Sequence, residues 1–151
     1  MKILMVCLGN ICRSPLAEGI LRDKIVQHNI KVEVASAGFI SNHEGEPADQ
    51  RAQNTALQFG VDISRHKARV FKIGDFDIYD HIFVMDNENM KAAHRLSRNI
   101  NDRNKIKLIL NEISPGENQV VPDPYYGGTD DFIHVFHLLD KACDAIIQKI
   151  K

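Results

Sequence analysis

The sequence predicts an α/β sandwich of three layers, a four-stranded parallel sheet with helices on both faces and a binding loop after the first strand. Three observations lead there. Short apolar runs alternate along the chain with stretches of helical spacing, the signature of β-α-β units. The first run, Lys2–Val6, is apolar at every position after Lys2, as a strand buried on both faces requires. The segment that follows, Cys7–Ser14, combines residues able to curl a backbone with a helix start, which is where such sheets bind ligands.

The remaining elements follow in order. Gly9 and Asn10 break the first strand. Ser14-Pro15 reads as a helix start, with Ser14 as cap and Pro15 at the first helical position. Leu16, Ile20, Leu21 and Ile25 carry that helix at helical spacing to about His28. Lys31–Ala37 reads as the second strand, with Val32 and Val34 alternating, and Gly38–Glu46 as an irregular polar loop. Pro47–Phe59 reads as a helix stopped by Gly60. His81–Met85 is the expected third strand, Asn87–Arg98 a short helix, Ile106–Leu110 the fourth strand and Pro115–Gly128 a loop. Asp130–Ile150 is a long amphipathic helix with Phe132, Val135, Phe136, Leu139, Ala142, Cys143 and Ile146 on its apolar face. No repeat or linker divides the chain, so residues 1–151 are expected to form one domain.

Composition narrows the function classes. Of 151 residues, 44% are hydrophobic and 26% charged, enough for a sizeable core. A net charge of -1 argues against bulk nucleic-acid binding, which needs a basic surface. No apolar run approaches the roughly 20 residues that span a bilayer, so no membrane insertion is expected. Met1–Gly9 reads as a buried strand and not as a targeting segment. With three cysteines, an odd number, the expectation is reduced thiols in the cytoplasm, and a monomer by default.

The segment Cys7-Leu8-Gly9-Asn10-Ile11-Cys12-Arg13-Ser14 carries the chemistry. A loop between a strand end and a helix N-terminus converges backbone N–H groups on an anion, and the helix end adds partial positive charge. Gly9 and Asn10 tolerate the positive φ of such a curl. Arg13 forks onto two oxygens of a phosphate. Cys7, at the mouth of this positive field, is favoured as thiolate, a nucleophile aimed at a bound phosphorus. This is therefore a phosphate-binding loop. It has no Gly-Lys-Ser/Thr ending and no Gly-x-Gly-x-x-Gly fingerprint, which argues against nucleotide hydrolysis and dinucleotide binding. A thiolate that displaces an oxygen needs a general acid, and Asp123, held stiffly between Pro122 and Pro124, is the candidate. Tyr125 and Tyr126 beside it are suited to wall a pocket for an aromatic substrate. His134 and His137, without a third ligand, are a poor metal site and read as surface residues.

These residues resemble the low-molecular-weight protein tyrosine phosphatases over essentially the whole chain. The match rests on Cys7–Pro15 with Ala17-Glu18, on Asp123-Pro124-Tyr125, and on Ser36-Ala37-Gly38, Gly45-x-Pro47-Ala48-Asp49-x-Arg51-Ala52, Ile63-Ser64-x-His66-x-Ala68-Arg69 and Met85-Asp86. The resemblance implies that Cys7 attacks phosphorus and becomes a phosphocysteine. Arg13 would grip the phosphoryl oxygens and stabilise the transition state. Amides from Leu8 through Gly9, Asn10, Ile11, Cys12 and Arg13 would supply the other donors. Ser14 would donate to the thiolate, and Asp123 would protonate the leaving oxygen and then activate water. Asn10, Ser36 and His66 would support the loop. Cys12 would pair reversibly with Cys7 under oxidation. Cys143 is read as core packing. No metal or cofactor is implied, and the implied partner is a phosphotyrosine-containing protein.

One departure stands out. Where relatives place Trp or Tyr after Ser-Ala-Gly, this chain has Phe39-Ile40-Ser41-Asn42-His43-Glu44-Gly45, with Asn42 at the corresponding place and Phe39 or His43 as possible substitutes. Ile11 stands where phosphoarginine-specific relatives carry Thr, which favours aryl phosphate. Three rival readings remain. Arsenate reduction on this fold usually needs cysteines after the third strand, and Asp86–Asn111 has none. A thiol–disulfide module explains neither Arg13 nor Asp123. A non-catalytic phosphate-binding module needs neither nucleophile nor acid.

Overall fold

The structure is a computed structural model describing residues 1–151. Its four strands are β1 (Lys2–Cys7), β2 (Glu33–Gly38), β3 (His81–Val84) and β4 (Ile106–Leu108). They form one parallel sheet in the order β2-β1-β3-β4. The helices are α1 (Arg13–Gln27), α2 (Gln50–Gln58), α3 (Asp75–Ile78), α4 (Asn87–Leu96), α5 (Ile100–Asn104) and α6 (Thr129–Ile150).

The alternation of side chains along a strand builds two cores. Ile3 and Met5 of β1, with Phe83 of β3, face a large apolar cluster shared with α1, α2 and α6. Leu4 and Val6, with Ile82 and Val84, face a smaller one that includes Phe71, Phe76 of α3 and Ala93 of α4. Ile3, Leu4, Met5 and Val6 are all fully buried, which is why β1 carries no polar residue between Lys2 and Cys7. From β1 the chain passes through α1 to β2 on one side, then returns across β1 to β3 on the other. That reversal of direction opens a crevice at the carboxyl end of β1. Cys7 is the last residue of β1.

Four expectations are corrected. The residue capping α1 is Cys12, with no side-chain cap, and Ser14 lies inside the first turn with its hydroxyl turned back to Cys7. Pro15 is accordingly the third helical residue. The helix placed at Pro47–Phe59 starts at Gln50, because Asp49 caps it by accepting the Arg51 N–H at 2.8 Å. The fourth strand ends at Leu108, and Ile109–Glu112 turns into a 3-10 helix. The short α3 and α5 were not expected. Each is a single turn held by an aspartate, Asp75 or Asp102, that is buried and bonded to an arginine, too short for any hydrophobic period to register.

Gly19 of α1 sits against Val61 and Ile63. A Cβ added there would come within 2.4 Å of Ile63 Cγ2. Gly19→Ala gains about 1 kcal/mol of helix propensity but overpacks this contact at a cost of about 1–3 kcal/mol. The expected outcome is a lower midpoint in denaturant unfolding. A higher midpoint would mean that α1 has room to move.

Candidate active site

The loop between β1 and α1 is organised by Asn10. This residue is fully buried and takes the left-handed conformation, with φ 59°, which Asn tolerates better than most non-glycine residues. Each polar group that the structure pairs on it points to a different element. Its Nδ2 donates to Ser14 Oγ at 2.7 Å and to Ser36 Oγ of β2 at 2.9 Å. Its Oδ1 accepts from the Arg69 N–H at 3.0 Å, and its carbonyl lies 2.7 Å from His66 Nε2. The Ser36 hydroxyl donates on to Glu18 of α1 at 2.6 Å. Arg69 is itself held by Asp75, whose buried carboxylate also caps the Lys72 N–H, so α3 anchors the segment that reaches Asn10.

This network ends on the sulfur. Cys7 Sγ lies 3.0 Å from Ser14 Oγ. Facing a thiolate, which only accepts, the Ser14 hydroxyl would be the donor, with the Asn10 amide on one of its lone pairs. Arg13 is almost fully buried, and its Nη1 donates to Asp86 Oδ2 at 2.6 Å and to the Val121 carbonyl at 2.9 Å. Burial works against its charge, but the Cys7 sulfur and Asp86 more than offset this and raise the guanidinium above its ordinary value. The other carboxylate oxygen of Asp86 caps α4 through the Asn89 N–H. Val121 also donates to the Met85 carbonyl at 2.8 Å, which fastens the Asp123 loop to the end of β3. Asp123 Oδ2 then lies 3.7 Å from Arg13 Nη2, while Oδ1 accepts from the Tyr125 N–H.

A pocket of about 210 Å³ opens above the sulfur. It is lined by Cys7, Leu8, Gly9, Ile11, Cys12 and Arg13 at its base, and Asp123, Tyr125 and Tyr126 on one side. Ile40, Asn42 and His43 form the other side. The expected nucleophile, phosphate fork and acid therefore converge. The side chains of Asn10 and Ser14 lie behind the loop and do not line the pocket. Phe39 turns away into the smaller core beside Phe71. Burial first, then the Asp49 and Cys7 charges, push the Cys12 thiol far up, so Cys12 stays protonated. Cys143 is fully buried against α1, its thiol pointing at the Ala17 carbonyl, and takes no part. No three His, Cys, Asp or Glu side chains converge as metal ligands do.

Asp86, Glu18 and the Asp49–Arg51 pair are the site residues for which the sequence supplied no role. Asp49 bonds the loop through its N–H to the Ile11 carbonyl at 2.8 Å and clamps Arg51, whose guanidinium sits 5.5 Å from the Tyr125 ring centre. All of them fall within the quoted motif stretches, which was their only signal.

The sequence profile described as low molecular weight phosphotyrosine protein phosphatase matches residues 2–151. The rat protein of that name is 35% identical over 151 residues, an alignment covering 98% of this chain and 94% of the rat one. A protein tyrosine phosphatase from Entamoeba histolytica with Hepes in its active site superposes with TM-score 0.92 at 37% identity, covering 99% of this chain and 96% of that one. An arginine phosphatase from Drosophila reaches TM-score 0.89 at 33% identity, covering 100% and 98%. The chain belongs to the low molecular weight phosphotyrosine protein phosphatase family.

The His66 contact makes the site sensitive to acid. A carbonyl only accepts, so Nε2 carries the proton of a neutral ring. Burial lowers the folded-state pKa of His66 below its ordinary 6.5, outweighing the opposing pull of the Asn10 carbonyl and Glu18. A depressed histidine pKa means that the unfolded chain takes up the proton first. This contribution to stability is present above 6.5 and is lost as pH falls through the folded value. Denaturation at stepped pH should show stability falling as pH drops below 6.5, and falling less steeply in His66→Gln. Equal slopes for both proteins would contradict the buried neutral ring.

Proposed function

We propose that this protein hydrolyses phosphotyrosine in proteins, and small aryl phosphates, through a phosphocysteine on Cys7. The observation that carries the proposal is the placement of Cys7 Sγ 3.0 Å from the Ser14 hydroxyl, at the base of a pocket shared with Arg13 and Asp123. The dianionic phosphoryl group sits in the loop, met by the backbone amides from Leu8 to Arg13 and by the guanidinium of Arg13. Cys7 sulfur attacks phosphorus as the bond to the tyrosyl oxygen breaks, and Asp123 transfers its proton to that oxygen. Water then attacks the phosphocysteine and gives its proton back to Asp123. Phosphate leaves, and Cys7 departs as thiolate stabilised by Ser14. Arg13 is positioned for this by Asp86 and the Val121 carbonyl, which fix its fork before substrate arrives.

The aryl preference is supported by Ile11, an almost buried branched side chain in the pocket base, and by Tyr125 at its wall. In this reading residues 1–151 act as one domain and a monomer in the cytoplasm, which the three free cysteines suit. Under peroxide, Cys7 would be oxidised to sulfenic acid and the Cys12 sulfur would displace water to give a disulfide, which thiol reductant reverses.

Two kinetic results follow. In EDTA and reductant, Cys7→Ser should lower kcat on a phosphotyrosine peptide by roughly a thousandfold or more, the order seen when a nucleophile is removed from a catalytic unit. Activity in Cys7→Ser near that of the unsubstituted protein, or abolition of activity by EDTA, would overturn the proposal. Asp123→Ala should slow esters of poorly acidic phenols by about 10²–10⁴-fold and esters of highly acidic phenols much less. Equal slowing across the series would remove Asp123 as the acid.

A further inference from the structure

Resting on that phosphatase reading, the pocket also reveals which side chain faces the ring of the ester. One wall is Tyr125, held by Arg51. On the other wall, counting residues places Asn42 in the position of an aromatic, but the ring that stands there belongs to His43. Its centre lies 6.1 Å from that of Tyr125, with the planes tilted by 50°. This is the separation of an ordinary aromatic pair.

Three constraints fix the His43 ring. Its Cδ2 edge lies over Gly9, where an added Cβ would come within 3.2 Å of it, so the loop glycine leaves the room that the ring uses. Its Nδ1 is 2.6 Å from Glu46 Oε2. An ionised carboxylate only accepts, so Nδ1 is the donor. The backbone turn that carries both residues is tied down in turn. The Glu46 N–H bonds the His43 carbonyl at 2.9 Å, and the Gly45 N–H and Glu46 carbonyl pair with Ala68, each at 2.8 Å. Gly45 takes the positive φ of 83° that this turn needs. Asn42, by contrast, is an exposed side chain on the rim.

We propose that His43 is the specificity-determining wall of the pocket, packing on the substrate's aromatic ring opposite Tyr125 in place of Asn42. At 6.1 Å between centres the two rings leave no room for a third, so an entering aryl group displaces the Tyr125 ring and exchanges one ring contact for two. The Glu46 bond holds the imidazole in position for that exchange and limits the entropy lost on binding.

The test is calorimetric titration with two non-hydrolysable probes, methylphosphonate and benzylphosphonate, which differ by the ring. The unsubstituted protein should prefer the benzyl probe. That preference should fall about two- to tenfold in His43→Ala, the range expected for one aromatic contact, and be largely kept in His43→Phe. A residue that merely propped up the loop at Gly9 would weaken both probes alike. The proposal is overturned if His43→Ala keeps the full preference, if both probes weaken equally, or if the preference disappears in Asn42→Ala instead. Failure of the unsubstituted protein to bind either probe would overturn the phosphatase reading itself. Binding of both probes without preference would leave that reading standing and remove the wall.

Discussion

The site depends on one buried asparagine. A loop that aims its amides at a phosphate must turn tightly, and at Asn10 that turn passes through left-handed backbone in which the chain would not remain unaided. What holds it there is saturation. The side-chain amide, its oxygen and the backbone carbonyl of Asn10 are bonded to α1, β2, the segment after α2 and the approach to α3. In a buried place, loss of any one partner costs the desolvation of the group left behind, so the bonds support one another. No buried side-chain polar atom in the protein lacks a partner. The curl is rigid because its alternatives leave polar groups unpaired.

The same economy appears at the second arm of the site. Asp86 caps α4 with one oxygen and holds Arg13 with the other. Val121 accepts from Arg13 and donates to the end of β3. The acid loop and the phosphate loop are thus registered against each other through the guanidinium itself. This suits chemistry in which a proton donor and a nucleophile must stand on opposite sides of one phosphorus. The sheet makes this possible, since the chain reverses direction about β1 and leaves the end of that strand uncovered.

Much of this was legible in the sequence, and the pattern of what was not is physical. Local signals survived well. The apolar run of β1, the Cys7-to-Ser14 curl and the amphipathic period of α6 are read within a few residues and were found where expected. The start of α1 was misplaced because Ser14 has the chemistry of a cap but uses its hydroxyl on Cys7. Asp86, 73 residues from Arg13, joins the site only through tertiary convergence, which no local spacing encodes. Counting positions puts Asn42 where relatives carry an aromatic and leaves Phe39 and His43 as its substitutes, without choosing between them. Which side chain faces inward is decided by the turn through Gly45 and the Glu46 tether, and these bring His43 to the mouth.

The central claim is that phosphorus passes through the Cys7 sulfur. The direct measurement is mass spectrometry of the reduced protein quenched in acid during steady-state turnover of an aryl phosphate, with the phosphoryl group located by peptide mapping. A phosphoryl group is expected on Cys7 that is absent before substrate is added and gone when substrate is exhausted. Steady turnover with no phosphoryl group on the protein, or with one on any residue other than Cys7, would contradict it.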